Sequence, residues 1–112
     1  MMIYKIFRAS EWAGLQAAGS TLGAPVDLAD GFIHFSTAEQ VAETAAKHFA
    51  GVSGLMLAAV DPAALDVGLT WEISRGGAEF PHLYAPLPLS AVVWCRPMPW
   101  ENDSHILPDG VA

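Results

Sequence analysis

The stretch "GFIHFSTAEQ", residues 31–40, passes directly from an apolar segment to a helix start. Its first half has the short apolar run of a strand. Ser36 and Glu39 then have the S-x-x-E spacing of a capping box, and a T-x-x-Q pattern repeats it one residue later, so a helix is expected over residues 37–49. The stretch also raises a question, because the predicted strand carries an ionisable ring, His34, among its apolar residues.

The predicted strand directs three of its side chains to one face. Alternate positions of a strand share a face, so in residues 32–36 Phe32, His34 and Ser36 are expected to lie together. Ser36 and Thr37 place hydroxyl groups where the helix begins, and the unpaired backbone N–H groups there favour anions. We expect His34, Ser36 and Thr37 to form a ligand-binding corner. The alternative is a core histidine that is bonded to a single carbonyl.

Composition and charge narrow the class of protein. The 112 residues fit one domain, expected to span residues 1–112, and 53% of them are hydrophobic while 15% are charged. Such a chain has enough apolar surface for one core, so disorder is not expected. The formal net charge is −7, and the five basic residues form no cluster. No nucleic-acid partner is expected, because phosphate binding depends on clustered Lys and Arg.

Cysteine usage and hydropathy predict a cytoplasmic protein. Cys95 is the only cysteine, so no disulfide can form within the chain, as is usual in a reducing compartment. The first residues lack the charged and then apolar pattern of a signal peptide. The longest apolar stretch, "LMLAAV" at residues 55–60, is far shorter than the roughly 20 residues of a membrane-spanning helix. We therefore expect no membrane partner.

Patterns along the rest of the chain predict an α+β domain. Ser10 is expected to cap a helix that ends at Gly19. Strands are expected over residues 2–8, 55–60, 69–74 and 91–96, with a proline-limited extended segment over residues 79–88. Residues 20–30 and 97–112 are rich in turn-forming residues and are expected to be irregular. Helices early in the chain and strands later in it predict a largely antiparallel sheet with two main helices.

A second group of polar residues lies in "WEISRGGAEFPHLY", residues 71–84. Arg75 precedes two glycines, so its guanidinium and the closely approaching backbone can hold a phosphate or a carboxylate. His82 and Tyr84 lie on the same side of an extended segment, where they suit stacking on a flat ligand and hydrogen bonding to its edges. The alternatives are an ordinary hairpin turn with a solvated Arg75 and a loop that packs over the sheet.

These two groups of residues are expected to meet in one pocket. An ionisable side chain that is buried without a partner costs on the order of several kcal/mol. Polar side chains within apolar segments therefore have the lowest free-energy cost when they line a common, solvent-filled cleft. We expect His34, Arg75 and Tyr84 to line one concavity.

Three segments together resemble a known protein family. They are "DGFIHFSTAEQV" at residues 30–41, the pair "WE" at residues 71–72 and "FPHLYAPLPLSAVV" at residues 80–93. The likeness is to domain-of-unknown-function family 952 of bacteria and plants, and it covers nearly the whole chain. Members of that family resemble the ADP-ribosyltransferase superfamily in fold. The resemblance implies a compact α+β domain in which two small sheets, a split antiparallel sheet, form an NAD-binding cleft.

The resemblance also implies roles for individual residues. His34 matches the histidine that bonds the nicotinamide ribose, with Ser36 in support. Tyr84 would stack on the nicotinamide, and Arg75 would bind the pyrophosphate. Glu72 would stabilise the positive charge that develops on the ribose. In the histidine–tyrosine–glutamate class of these transferases the glutamate follows the tyrosine, whereas Glu72 precedes Tyr84.

Three functions remain open at this point. The first is a transferase or hydrolase directed at NAD or ADP-ribose, with His34 and Glu72 as catalytic residues and NAD as a substrate. The second is a non-catalytic module that binds a small anion or a nucleotide. The third is a metal site of His34, His82 and a carboxylate. No metal is expected, because the chain has no short H-x-x-H spacing. The sequence leaves the oligomeric state open.

The expected role of Arg75 can be tested directly. If its guanidinium binds the ligand's phosphate, Arg75→Ala should weaken the binding of ADP-ribose by roughly tenfold to a hundredfold, which corresponds to about 1.5–3 kcal/mol for a charge-assisted hydrogen bond. Isothermal titration calorimetry at two salt concentrations measures this, since screening should weaken the wild type more than the variant. An unchanged affinity in the variant would show that the anion binds elsewhere.

Overall fold

The apolar run at residues 55–60 forms the middle strand of a three-stranded sheet. The computed structural model describes residues 1–65 and 67–111, and the side chain of Arg75 lies outside that description. The helices are α1 (Ala9–Ala18), α2 (Pro25–Asp30) and α3 (Val41–His48). The strands are β1 (Ile3–Arg8), β2 (Ser20–Thr21), β3 (Ile33–His34), β4 (Leu55–Val60), β5 (Leu69–Ile73), β6 (Glu79–Leu83), β7 (Leu87–Pro88), β8 (Val92–Met98), β9 (Trp100–Glu101) and β10 (Ser104–His105).

Two three-stranded antiparallel sheets form the framework. The first has the order β1-β4-β8, and the second has the order β3-β6-β5. Two short ladders join β2 to β7 and β9 to β10. The main sheets meet where Tyr4 and Ser36 exchange both backbone hydrogen bonds, at N···O distances of 2.8 and 2.9 Å. Beyond this bridge the edge of β1 borders a cleft.

Apolar side chains pack against both faces of the first sheet. On one face, Ile3 and Phe7 pack with residues of α1 and of the second sheet. On the other face, Tyr4 packs with Val41 and Ala45 of α3. This burial on two sides explains why β4 is apolar throughout its length. The radius of gyration is 13.0 Å, close to the value of about 13 Å expected of a single domain of this length.

The second sheet places polar side chains in register on one face. His34 of β3 pairs with His82 of β6, and His82 pairs with Thr70 of β5. Glu72 pairs with Phe80 two positions along the same strands. Because side chains alternate between the two faces, all five of these residues lie on the same surface. The strand pairing thus brings together ionisable groups that are far apart in the sequence.

The helix expected over residues 37–49 is present, but it begins later, at Val41. The residues before it form a turn in which the Gln40 side chain accepts a hydrogen bond from the Thr37 N–H at 3.0 Å. This is the reciprocal half of a capping box, so the T-x-x-Q pattern is the one that is used. Ser36, which begins the other pattern, instead directs its hydroxyl to a hydroxyl of α3.

The expectation that residues 20–30 are irregular is wrong, because they contain β2 and α2. Pro25 occupies the first position of α2, where its missing N–H is tolerated. Gly31 ends the helix with a φ of 84° in the left-handed region. The Asp27 side chain accepts a hydrogen bond from the Ala24 N–H at 2.7 Å, so the cap comes from within the helix. The usual N-cap residue types are absent, which is why the sequence pattern did not indicate this helix.

The expectation for residues 97–112 is wrong in part. Strand β8 continues to Met98, and β9 and β10 form a hairpin. Asn102 and Asp103 connect its strands with φ values of 52° and 61°, as a type I′ turn requires. The class predicted from the sequence, a single α+β domain with antiparallel sheets, is confirmed, with α2 as a third helix. No helix within residues 1–65 or 67–111 is long and apolar enough to cross a membrane.

Gly23 provides a test of the packing before α2. A Cβ at this position would overlap the Asp27 carboxylate, and its φ of 102° is strained for other residues. Gly23→Ala should therefore lower the free energy of unfolding by about 2 kcal/mol or more. Gly14→Ala in α1 is the matched control, because a Cβ there has no heavy atom within 4 Å, and it should stabilise by up to about 1 kcal/mol. Urea unfolding measures both, and equal stability of the two variants would contradict the close approach.

Candidate functional site

A cleft of about 920 Å³ opens between the edge of β1 and the polar face of the second sheet, and residues of α2 and of the end of α3 complete its lining. This volume falls within the range of roughly 300–1,000 Å³ that is typical of small-molecule sites. The polar side chains that line it include Lys5, Arg8, Asp27, Asp30, His34, Ser36, Thr44 and His82, and the aromatic ones include Phe35, Phe49 and Phe80.

The Asp27 carboxylate accepts four hydrogen bonds from three parts of the chain. Its Oδ2 accepts from Lys5 Nζ at 2.8 Å and from the Ala24 N–H at 2.7 Å. Its Oδ1 accepts from the His34 N–H at 3.1 Å and lies 2.6 Å from His34 Nδ1. A carboxylate has about four acceptor positions, so this group is fully used. It joins β1, the start of α2 and β3 at one point.

The Asp27–Lys5 pair is buried and charged. Burial raises the pKa of the Asp27 carboxyl, but the hydrogen bond from His34 and the charge and hydrogen bond of Lys5 outweigh it and lower the pKa to about 2. Asp27 is therefore ionised at neutral pH. Lys5 is only 6% exposed, so each charge depends on the other. Removing one partner of such a pair leaves an uncompensated buried charge.

This network holds the His34 ring in one orientation. Because an ionised carboxylate can only accept, His34 Nδ1 carries the proton that it donates to Asp27. The other ring nitrogen, Nε2, is 3.0 Å from Asp30 Oδ2. The side chains of His34 and Asp30 are 35% and 47% exposed, so a ligand group can reach Nε2 by displacing Asp30. One nitrogen of the ring is thus anchored by a buried carboxylate, and the other faces a half-exposed one.

The hydroxyls expected beside His34 are only partly in the cleft. Ser36 Oγ is 3.0 Å from Thr44 Oγ1, and both residues line the cleft. Thr37 is not among the lining residues, and its N–H is used by the Gln40 side chain. Because α3 begins at Val41, its N-terminus also lies further along the chain than the sequence predicts.

A second carboxylate orients a second histidine. Glu72 Oε1 lies 2.8 Å from His82 Nδ1 and accepts a hydrogen bond from the Tyr84 O–H at 2.6 Å. The hydrogen bonds from Tyr84 and His82 lower the pKa of Glu72, and the bond with Glu72 raises the pKa of the Tyr84 phenol. The His82 side chain is 7% exposed and lines the cleft, whereas Glu72 and Tyr84 are not among the lining residues.

Phe32 connects these groups into one aromatic cluster. Its ring centroid is 4.6 Å from that of His34, 4.1 Å from that of His82 and 5.1 Å from that of Tyr84. The two imidazole centroids are 5.5 Å apart. The structure therefore brings four residues that the sequence indicated, His34, Glu72, His82 and Tyr84, into one contiguous group around Phe32.

Tyr84 belongs to this group but does not line the cleft, so the lining does not include all of the residues expected to share one concavity. The side chain of Arg75 lies outside the described residues, so its contact with an anion stays a prediction. Asp27 is the residue that sequence reasoning missed, since its segment was expected to be a loop. Pro25 and Gly31, which bracket α2, are the signal that could have indicated a short helix there.

Possible metal ligands and the cysteine contribute less to this site. Within residues 1–65 and 67–111 there is no group of three or more His, Cys, Asp or Glu side chains arranged to hold a metal ion. His34 and His82 each direct Nδ1 at a carboxylate instead. Burial raises the pKa of the Cys95 thiol to about 11, so this cysteine is protonated at neutral pH and is a poor nucleophile.

The family suggested by the motifs is confirmed by comparison with known proteins. Residues 6–95 match the family described as "Protein of unknown function (DUF952)". The chain belongs to this family. The match includes the segments around His34 and His82. Its description carries no activity over to the chain.

Solved structures of a relative share the fold. The crystal structure of protein CC0527 from Caulobacter crescentus has a TM-score of 0.90 and 48% sequence identity, covering 96% of this chain and 94% of that chain. The solution NMR structure of CC0527 has a TM-score of 0.82 and 48% identity, covering 94% and 90% of the two chains. None of the curated proteins compared matches the chain.

The low pKa of Asp27 predicts how stability depends on pH. The carboxyl has a pKa of 3.8 when unperturbed and about 2 in the folded chain, so it stabilises the fold above about pH 4, and this contribution is lost as the pH falls toward 2. The difference amounts to about 2 kcal/mol. Urea unfolding at several pH values should show the gap between the wild type and Asp27→Asn shrinking by about that amount over this window.

Asp30→Asn is the matched control for this measurement. Its carboxylate is about half exposed, so the substitution should change stability by less than about 1 kcal/mol at any pH. At neutral pH, Asp27→Asn should cost about 3 kcal/mol, because it leaves Lys5 buried without a counter-charge. Equal stability of the two variants would contradict the role of Asp27.

Proposed function

We propose that the cleft binds the ADP-ribosyl part of NAD or of a related nucleotide, with a ribose hydroxyl at Nε2 of His34. The observation that carries this proposal is the anchored ring, since Asp27 holds His34 Nδ1 at 2.6 Å while Nε2 faces the half-exposed carboxylate of Asp30. A ring that is fixed on one side aims its other nitrogen at one position, as recognition of a single hydroxyl requires. A histidine with a purely structural role would not need an accessible nitrogen.

Asp30 favours a hydroxyl over a phosphate at this position. Its carboxylate lies 3.0 Å from His34 Nε2, and the ionised Asp27 lies on the other side of the ring. A phosphate placed there would meet two like charges. A ribose hydroxyl can both donate and accept, so it can bond the ring and Asp30 together. Ribose offers two neighbouring hydroxyls for these two partners.

The rest of the cleft can accommodate the remaining parts of a nucleotide. The ring of Phe49 lines it and offers a surface on which a base can stack. Arg8 also lines it, with its guanidinium 5.3 Å from the centroid of the Phe49 ring, where it can bond phosphate oxygens. The Arg8–Glu11 ion pair is exposed and has an N···O distance of 3.4 Å, so it leaves the guanidinium able to bind another anion.

The arrangement of the sheets also supports the proposal. Two small antiparallel sheets joined at the Tyr4–Ser36 bridge, with a cleft beside the joint, are what the resemblance to the ADP-ribosyltransferase superfamily implies. His34 is then the residue that the same resemblance assigns to the ribose. The likeness in fold to that superfamily is itself part of the proposal.

A binding experiment tests the role of His34. His34→Ala should lower the affinity for ADP-ribose by about tenfold or more, because leaving a desolvated hydroxyl without its hydrogen-bond partner costs roughly 1–3 kcal/mol. Calorimetric titration measures the affinity, and thermal melts run alongside. His105→Ala is the matched control, since that ring is also partly buried and lies 3.1 Å from the Val52 carbonyl, but it does not line the cleft.

Two results would contradict the proposal. If the wild type binds neither NAD nor ADP-ribose at millimolar concentration, the nucleotide assignment fails. If His34→Ala melts far below His105→Ala and has unchanged affinity when folded, the ring is a structural group and the alternative named from the sequence is correct.

A further inference from the structure

One ring nitrogen of His82 has no hydrogen-bond partner among the residues that the structure describes. Its side chain is 7% exposed, and Nδ1 lies 2.8 Å from Glu72 Oε1. Nε2 makes no hydrogen bond to any residue in the described part of the chain. Buried polar atoms nearly always have a partner, so one that lines a cleft and lacks a partner marks a position for a ligand.

Glu72 determines which nitrogen of His82 is available. The hydrogen bonds from Tyr84 and His82 lower the pKa of Glu72, so the carboxylate is ionised at neutral pH and His82 Nδ1 must donate to it. In the neutral ring Nε2 then carries the lone pair and can accept a proton. His82 lines the cleft and Glu72, the partner of its Nδ1, does not, which supports an orientation with Nε2 toward the cleft.

The neighbouring residues place this nitrogen beside the ribose position. His82 is the cross-strand partner of His34, and their ring centroids are 5.5 Å apart. The Phe32 ring packs against His82 at a centroid distance of 4.1 Å and restricts its rotation. A ribose whose hydroxyl bonds His34 therefore lies next to His82.

We propose that His82 is the general base of a hydrolytic reaction at this ribose and that Glu72 is the residue that positions it. The inference rests on the proposed function. Water attacks C1′ of the ribose while the bond from C1′ to the nicotinamide nitrogen breaks. The electron pair of that bond leaves with nicotinamide and neutralises its pyridinium charge. The proton of the water passes to His82 Nε2 and then to solvent, so the products are ADP-ribose, nicotinamide and one proton.

This assignment changes the role that the sequence predicts for Glu72. Its Oε1 is engaged by both His82 and Tyr84, which leaves it poorly placed to face a ribose in the cleft. It can instead stabilise the imidazolium that forms when His82 takes the proton. A carboxylate that orients a histidine in this way acts through the ring without contacting the substrate.

The test measures the release of nicotinamide from NAD by the wild type and by His82→Gln. Glutamine can still donate to Glu72 but cannot take up a proton, so the rate should fall by about a hundredfold or more. Calorimetric affinity for ADP-ribose should stay nearly unchanged, because His34 is intact. In the wild type, kcat/KM should rise with pH as the imidazole loses its proton, and this limb should disappear in the variant.

Glu72→Gln provides a second variant, in which the buried ring of His82 itself is not substituted. It keeps an oxygen for the Tyr84 O–H but removes the negative charge, so the pH limb should move to lower pH while the rate falls. A merely structural role of Glu72 would leave the position of the limb unchanged. His105→Gln is the control, and it should keep the wild-type rate and profile.

The outcomes separate this inference from the binding proposal. If the wild type binds ADP-ribose but releases no nicotinamide, or if His82→Gln keeps the wild-type rate, the general-base assignment is overturned and the binding proposal stands. If His82→Gln does not fold, Glu72→Gln decides the matter. The general-base assignment is overturned if kcat/KM of Glu72→Gln rises over the same pH range as that of the wild type. If neither NAD nor ADP-ribose binds, the proposed function and this inference both fail.

Discussion

Four hydrogen bonds to one buried carboxylate hold the candidate site together. Asp27 accepts from Lys5 on the first sheet, from Ala24 at the start of α2, and twice from His34 on the second sheet. A backbone bridge joins the two sheets at Tyr4 and Ser36, and this carboxylate is a further connection across the same joint. The direction of the His34 ring is thus set by a group outside its own strand. Both charges of the Lys5–Asp27 pair are buried. Removing either one therefore leaves the other uncompensated and destabilises the fold.

His34 and His82, which both line the cleft, differ in what surrounds them. Each has Nδ1 on a carboxylate, but His34 is one-third exposed with Asp30 at its second nitrogen, while His82 is buried and its second nitrogen has no partner among the described residues. In many enzymes the environment gives chemically identical side chains different roles. Here it favours binding by His34 and proton transfer by His82. The same strand pairing places them side by side, so one ligand can contact both.

Local patterns predicted much of the site, and long-range pairing determined the rest. The alternation around His34 and around His82 is a property of each strand, so the shared faces could be predicted from short stretches. That the two rings lie opposite one another depends on the register between β3 and β6, which no local pattern specifies. Asp27 was missed for a similar reason, since its importance comes from contacts with Lys5 of β1 and His34 of β3 that no local pattern specifies. The hairpin at Asn102 and Asp103, by contrast, carried a readable local signal, because these residue types tolerate the left-handed region.

The central claim is that Asp27 fixes His34 with Nδ1 protonated and Nε2 turned to a ligand. Nitrogen–proton correlation spectra of the imidazole rings, recorded with and without ADP-ribose, test it most directly. The account predicts a proton on Nδ1 of both His34 and His82, a change at His34 Nε2 when ADP-ribose is added, and no change at His105. If ADP-ribose binds while the nitrogen signals of His34 stay unchanged, or if Nδ1 of His34 carries no proton, the account is wrong.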